Sequence, residues 1–406
     1  MDISELLSSN AFQMTLLMAV ALAGYLISYR INQSAVVGII LVGIIVGPSL
    51  LHWVAYTDFV STMANLGAIV MLFTIGLEFE IREITKVKYF LIALFGVLVP
   101  ALAGFYVAKA FDFDFKAAIF IGTALTATSI AITANVLREM GRLQTEAAKA
   151  IIGAAVIDDV LGLMALSVSE GVVSGDISAG SLFLAMGKAI GFIIVGIAVG
   201  LFFLRKVICK LDGTKVCHTY PESVFIFAMM IAFLYAMAAE FVGLSGIVGS
   251  FLAGASFAKL KLDSGKYFHE GSQHLQIIFA SIFFISLGVI FDIHALDWSL
   301  VIFILVLTLA AIASKLLGCG ATAKLAGMNW NDSTVVGLGM SPRGEVAMII
   351  ALIGLNQGLI KQGAYASIIM MSLLTTIIPP LLFRNLIFKS KKAKPEKKPH
   401  PLPQNQ

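Results

Sequence analysis

The chain is laid out as a succession of apolar segments, each close to twenty residues long, separated by short clusters of charge. A helix needs about 20 mostly apolar residues to cross roughly 30 Å of hydrocarbon. Inside a bilayer only helices and closed barrels satisfy their own backbone polar groups. Cutting the chain at charge clusters and turn signals predicts thirteen membrane helices, over residues 11–30, 35–53, 60–79, 89–110, 117–137, 147–170, 180–204, 222–241, 243–258, 273–291, 298–323, 332–357 and 365–387. The expected fold class is therefore an all-α polytopic membrane protein. With 59% apolar and 13% charged residues, the chain has about half the charge of a soluble domain and cannot coat a water-facing surface. That excludes a cytosolic enzyme, a secreted disulfide scaffold and a disordered chain. Cys209, Cys217 and Cys319 offer no paired framework, and Cys217–His218 lacks the spacing of haem attachment. The acidic, polar opening MDISELLSSN is not the basic start of a signal peptide. No cofactor, nucleic-acid partner or enzymatic activity is expected.

Lys and Arg concentrate in cytoplasmic loops. With the N-terminus outside, twenty-two of them fall in the inner segments and three (Lys109, Lys116, Lys361) in the outer ones. The expected topology is N-terminus out and C-terminus in, in the plasma membrane of a cell. Residues 1–388 form the transmembrane unit. Residues 389–406 are a basic, Pro-rich cytoplasmic tail, too polar to bury a core and suited to anionic lipid.

An internal repeat organises the spans. SAVVGIILVGIIVG (34–47) aligns with SGIVGSFLAGASFA (245–258) at an offset of 211, pairing Ser34, Val37, Gly38 and Gly43 with Ser245, Val248, Gly249 and Gly254. TIGLEFEI (74–81) aligns with SLGVIFDI (286–293) at an offset of 212, pairing Gly76 with Gly288, Phe79 with Phe291 and Glu80 with Asp292. The matched spans lie seven helices apart, so the second copy runs in the opposite sense. The repeats cover about 11–170 and 222–387, with a linking helix at 180–204. Inverted repeats are the architecture of secondary transporters, whose ion sites lie near the midplane where discontinuous helices meet. The expected breaks are Thr126–Ser129 in span five and GMSPRGE (339–345) in span twelve, where Pro342 cannot donate to the helical ladder.

Five ionisable residues sit deep in apolar spans: Asp158, Asp159, Lys315, Arg343 and Glu345. Each costs about 2.5–3.5 kcal/mol at a helix centre on insertion scales, and such residues are functional by default. With Arg343 and Glu345 satisfied locally and Lys315 taking one aspartate, one carboxylate is left for a monovalent cation among the Thr and Ser oxygens. Desolvation disfavours its charged form, so a proton competes for the same group. If loaded forms cross but the empty charged site does not, exchange is obligatory. Adjacent helical positions point about 100° apart, so Asp158 and Asp159 hold different jobs.

TALTATSIAITANVLREMGRLQ (123–144), GAAVIDDVLGL (153–163), SKLLG (314–318) and MSPRGE (340–345) resemble the monovalent cation/proton antiporter family. More narrowly they resemble the bacterial Na+/H+ antiporters with two adjacent aspartates, the NapA type. The resemblance implies an NhaA/NapA-like fold, with inverted repeats, two discontinuous crossing helices, and a mobile core working against a scaffold that forms a homodimer. It implies that Asp159 binds ion and proton and is the ligand of the transported metal ion. Asp158 would pair with Lys315, and Thr126, Thr128 and Ser129 would lie in the unwound stretch, opposite Arg343 and Glu345. The potassium-efflux branch usually has Gln before the aspartate and the electroneutral branch Asn, so the Asp–Asp pair favours electrogenic exchange of Na+ or Li+. A K+/H+ antiporter of the same family is the alternative, followed by a Na+-coupled symporter of an organic solute gripped by Arg343. An intramembrane aspartyl protease is excluded, because its carboxylates must converge from different helices.

Overall fold

The computed structural model describes residues 9–382 except 32, 80–85, 175–178, 259, 261, 263–264, 292–293, 295–299 and 357. Every long element among the described residues is helical. In chain order they are α1 Asn10–Ile31, α2 Ala35–Val46, α3 Asp58–Leu77, α4 Val87–Ala110, α5 Phe115–Ala124, α6 Ile130–Glu139, α7 Glu146–Ser174, α8 Ala179–Val199, α9 Arg205–Asp212, α10 Lys215–Thr219, α11 Glu222–Phe241, α12 Gly246–Phe257, α13 Gly265–Val289, α14 Val301–Lys315, α15 Ala321–Leu325, α16 Trp330–Gly339, α17 Glu345–Asn356 and α18 Gln362–Leu382. Among the described residues, eight helical runs are long and apolar enough to cross a membrane, and shorter apolar helices lie at Ala35–Val46, Phe115–Ala124, Gly246–Phe257 and Val346–Leu355. Large apolar side chains stand exposed along α4 and α8, among them Leu98, Leu102, Ile194 and Val195. Such a surface suits lipid rather than water. The basic tail and the Glu80–Asp292 pairing lie outside the described residues.

Three boundaries differ most from those expected, and one of them is the start of α13, at Gly265 rather than residue 273. The segment expected over 35–53 stops being helical at Val46, because Gly47 adopts an extended conformation and Pro48 has no N–H to continue the ladder. The linking helix runs past residue 204 through a π-helical turn, Gly200–Leu204, into α9. Its Arg205 does not reach solvent alone: Nε and Nη2 donate to the carbonyls of Ser256 and Ala258 at 2.8 and 2.7 Å, closing the end of α12. Cationic side chains at helix C-termini satisfy the last carbonyls and oppose the dipole.

The positions aligned in the sequence make corresponding contacts. Ser34 caps α2 by accepting from Val36 N, and Ser245 caps α12 by accepting from Ile247 N, both at 3.3 Å. A methyl added to Gly38 would strike the Gly24 carbonyl and the Ser28 side chain of α1. One added to Gly249 would strike the Tyr235 carbonyl and Ala239 of α11. Both neighbours are displaced by the same 211 positions as the glycines themselves. A methyl on Gly43 would lie 3.2 Å from Gly288 Cα, and one on Gly254 would lie 3.1 Å from Gly76 Cα. So α2 crosses α13 at one repeat-related glycine pair, and α3 crosses α12 at the other. Small residues at these points let backbones approach closely. Gly254→Ala, which drives a methyl into the Phe73 carbonyl, should lower stability by about 1–3 kcal/mol, the usual cost of overpacking. Gly191→Ala on α8, with no atom within 4 Å of the new methyl, should leave the melting temperature unchanged or raise it.

The helix directions define two ends of the molecule. At one end Arg138 Nε meets Glu78 Oε1 and Lys88 Nζ meets Glu146 Oε2, each at 3.1 Å, tying the ends of α3 and α6 and the starts of α4 and α7. The turn between α11 and α12 lies at the opposite end, with the beginning of α3 and the later half of α7.

Candidate ion-binding site

Two helices break in mid-course. Leu125–Ser129 separates α5 from α6, and Met340–Gly344 separates α16 from α17. In the first, the Thr126 hydroxyl donates back to the Thr123 carbonyl at 2.8 Å, a local bond that competes with the helical ladder. In the second, Pro342 removes a donor and disfavours helix at Ser341. The breaks are bonded to each other. Ser129 N donates to the Pro342 carbonyl at 2.8 Å, and Thr133 Oγ1 donates to the Gly339 carbonyl at 2.7 Å.

Carbonyls freed by the first break are met by cations. Lys315 Nζ donates to the Thr126 carbonyl at 3.2 Å, to Thr128 Oγ1 at 2.8 Å and to Asp158 Oδ1 at 3.3 Å, with both Lys315 and Asp158 buried. Arg343, fully buried, donates through Nη1 to the Ala127 carbonyl at 2.5 Å. Its backbone is held by Thr375 and Thr376, which bond its N–H and carbonyl at 3.3 and 2.8 Å. The unwound end of α5, a negative dipole end, is thus neutralised by one side chain from α14 and one from the second break.

Asp159, one position on, has a different setting. It is half-buried and lines a cavity of about 370 Å³ whose wall includes Asn65, Ala127, Asp158, Glu240, Ser245 and Val346. A second, small pocket places it with Thr128, Ser129 and the start of α12. Both aspartates border the larger cavity, but they divide otherwise: Asp158 is buried and paired with the lysine, and Asp159 is half-buried and shares the small pocket at the first break. Of the three hydroxyls singled out in the sequence, Thr128 and Ser129 border the Asp159 pocket. Thr126 instead serves Lys315 through its carbonyl. Glu345 begins α17 beside the second break, and its side chain lies outside the described residues.

Sequence reasoning missed two contributors. Glu240 reads as a helix-end charge, yet it lines the same cavity as Asp159, and only its position beside the tight α11–α12 turn hints at this. Gly96 of α4 faces the ion pair. A methyl there would lie 2.5 Å from Cys319 Sγ, 3.5 Å from Lys315 Nζ and 3.8 Å from Asp158 Oδ1. Gly96→Ala should therefore push Cys319 onto the lysine and lower the melting temperature, at a cost of about 1–3 kcal/mol. Cys319→Ala in the same chain removes the obstructing sulfur and should recover part of that loss.

Residues 17–387 match the family model for the transmembrane sodium/hydrogen exchanger. GerN, a Na+/H+–K+ antiporter of Bacillus cereus, is 32% identical over 394 residues, spanning 95% of this chain and 98% of GerN. A Na+/H+ antiporter of Enterococcus hirae is 32% identical over 381 residues, 91% of this chain and 96% of that protein. In three dimensions the sodium proton antiporter MjNhaP1 of Methanocaldococcus jannaschii covers 92% of this chain and 96% of its own with a TM-score of 0.72 at 18% identity, a likeness of fold. The chain belongs to the transmembrane sodium/hydrogen exchanger family.

Proposed function

We propose that this member of the exchanger family moves Na+ against H+ across the plasma membrane, with Asp159 as the one carboxylate that both ions use in turn. Cation/proton exchange itself follows from the family. The observation that carries the assignment is the division of labour at the aspartate pair. Asp158 is committed to a buried lysine, while Asp159 alone of the two borders the small pocket where the break at Thr128–Ser129 and the start of α12 supply oxygen and dipole. Carboxylate, hydroxyl and carbonyl oxygens suit a hard cation. Arg343 gives one nitrogen, Nη1, to the Ala127 carbonyl and has no partner for Nε and Nη2 among the described residues, but it does not line the Asp159 cavity, which weighs against an organic-solute symporter that would need it there as an anion clamp.

The repeat-related glycine crossings and Ser caps support two inverted repeats, and hence thirteen crossings: the eight long apolar runs, the four short apolar helices and α7. On that reading the N-terminus is outside, and a core carrying the two broken helices moves against a scaffold through which two copies pair. A buried lysine that changes partners during the cycle favours electrogenic exchange. Because GerN is described as a Na+/H+–K+ antiporter, K+ is the second candidate cation. Proteoliposomes with a preset pH gradient test the reading: adding NaCl or LiCl should collapse the gradient with no organic solute present. Collapse by KCl alone would replace Na+ with K+, and no response to any of the three would refute the exchange reading.

A further inference from the structure

The two repeat-related helix N-termini are treated differently, and the difference points to a gate. The start of α12 borders the Asp159 cavity. The start of α2, at the charged end of the molecule, borders a second cavity through Ala35 and is tied to a carboxylate. Glu139, the last residue of α6, accepts from Ser34 Oγ at 2.6 Å and from Ala35 N at 3.1 Å through one oxygen, and from Asn135 Nδ2 at 3.1 Å through the other. Gln276 of α13 donates through Nε2 to Asn135 Oδ1 at 3.3 Å. Asn135, Gln276 and Ser34 are all buried. That second cavity, of about 490 Å³, is lined by Asn135, Glu139, Gln276 and Ala280 and by neither aspartate. These bonds line that cavity, with Asn135 and Gln276 buried and Glu139 exposed, and they join α6, which follows the first break, to α2 and α13.

We infer that Glu139, with Asn135 and Gln276, is the latch that shuts the charged end of the molecule, and that its release from the α2 N-terminus is a step of the exchange cycle. The inference rests on the alternating-access reading above. A carboxylate at a helix N-terminus with two donors on one oxygen is a charge-assisted contact. It is also reversible, since water replaces every partner once the cavity opens. These are positioning residues: none lines the Asp159 cavity.

Two cysteine reporters in detergent-purified protein test this, read as the rate of labelling by a polar maleimide above that of protein without the reporter. Ala280→Cys reports the latched cavity and Ile69→Cys the Asp159 cavity. In a Glu139→Gln background, Ala280→Cys should label about tenfold faster and Ile69→Cys should label more slowly, as expected when one charge-assisted bond is lost from one side of a two-state balance. Opposite changes are something a merely loosened fold would not give. Unchanged rates at both positions, or faster labelling at both, would overturn the latch. If Glu139→Gln does not fold, Ser34→Ala and Gln276→Ala are read the same way. Labelling requires no ion flux, so a failed assignment of Asp159 leaves this outcome untouched.

Discussion

Asp159→Asn should reduce cation-driven proton flux to the leak of protein-free liposomes, while the protein still folds and purifies. The amide keeps the size of the side chain but can neither carry the negative charge that draws in the cation nor take up the proton that replaces it. Asp159 lines the cavity, whereas the buried ion pair belongs to its neighbour, so the lesion should be in transport rather than assembly. Near-normal exchange by the variant, measured as decay of a preset pH gradient, would end the assignment.

The second large effect is expected at the Asp158–Lys315 pair, 3.3 Å apart with both side chains shielded from solvent. Removing one member of such a pair typically costs about 3–5 kcal/mol, because the other is stranded. Lys315→Ala should therefore depress the melting temperature sharply. It also leaves the Thr126 carbonyl and Thr128 hydroxyl without their donor. Asp158→Asn with Lys315→Gln strands no charge and should recover much of the stability. If Lys315 releases a proton during turnover, the double variant should still exchange ions but move less net charge, read as smaller currents on a solid-supported membrane. Losses that simply add in the thermal-shift cycle would mean that the two groups are not energetically coupled.

The fold was legible where the bilayer constrains sequence. Apolar length marks helices, and Thr126–Ser129 and Pro342 mark breaks because hydroxyls and proline act on the ladder locally. Helix geometry alone separates the settings of Asp158 and Asp159, one paired with Lys315 and one half-buried at the small pocket. Less was legible where function depends on contacts between distant segments. Glu240 reaches the cavity only because α11 turns tightly into α12, and Glu139 reaches the α2 N-terminus across more than a hundred positions. Gly96 is one of 36 glycines, and nothing in its neighbours shows that it faces a buried ion pair. The length of α2 was overestimated because Gly47 and Pro48 sit inside a run that stays apolar beyond the helix.

Competition of proton and cation for one carboxylate has a direct thermodynamic signature. Na+ affinity of the purified protein should be measured by titration calorimetry over a series of pH values, for the unaltered chain and for Asp159→Asn. With one shared group, the apparent dissociation constant should rise about tenfold for each pH unit below the range where the carboxyl ionises, with one proton released per ion bound, and level off above it, with none released. Asp159→Asn should show no saturable binding. A dissociation constant independent of pH, or binding that survives in Asp159→Asn, would contradict a shared site.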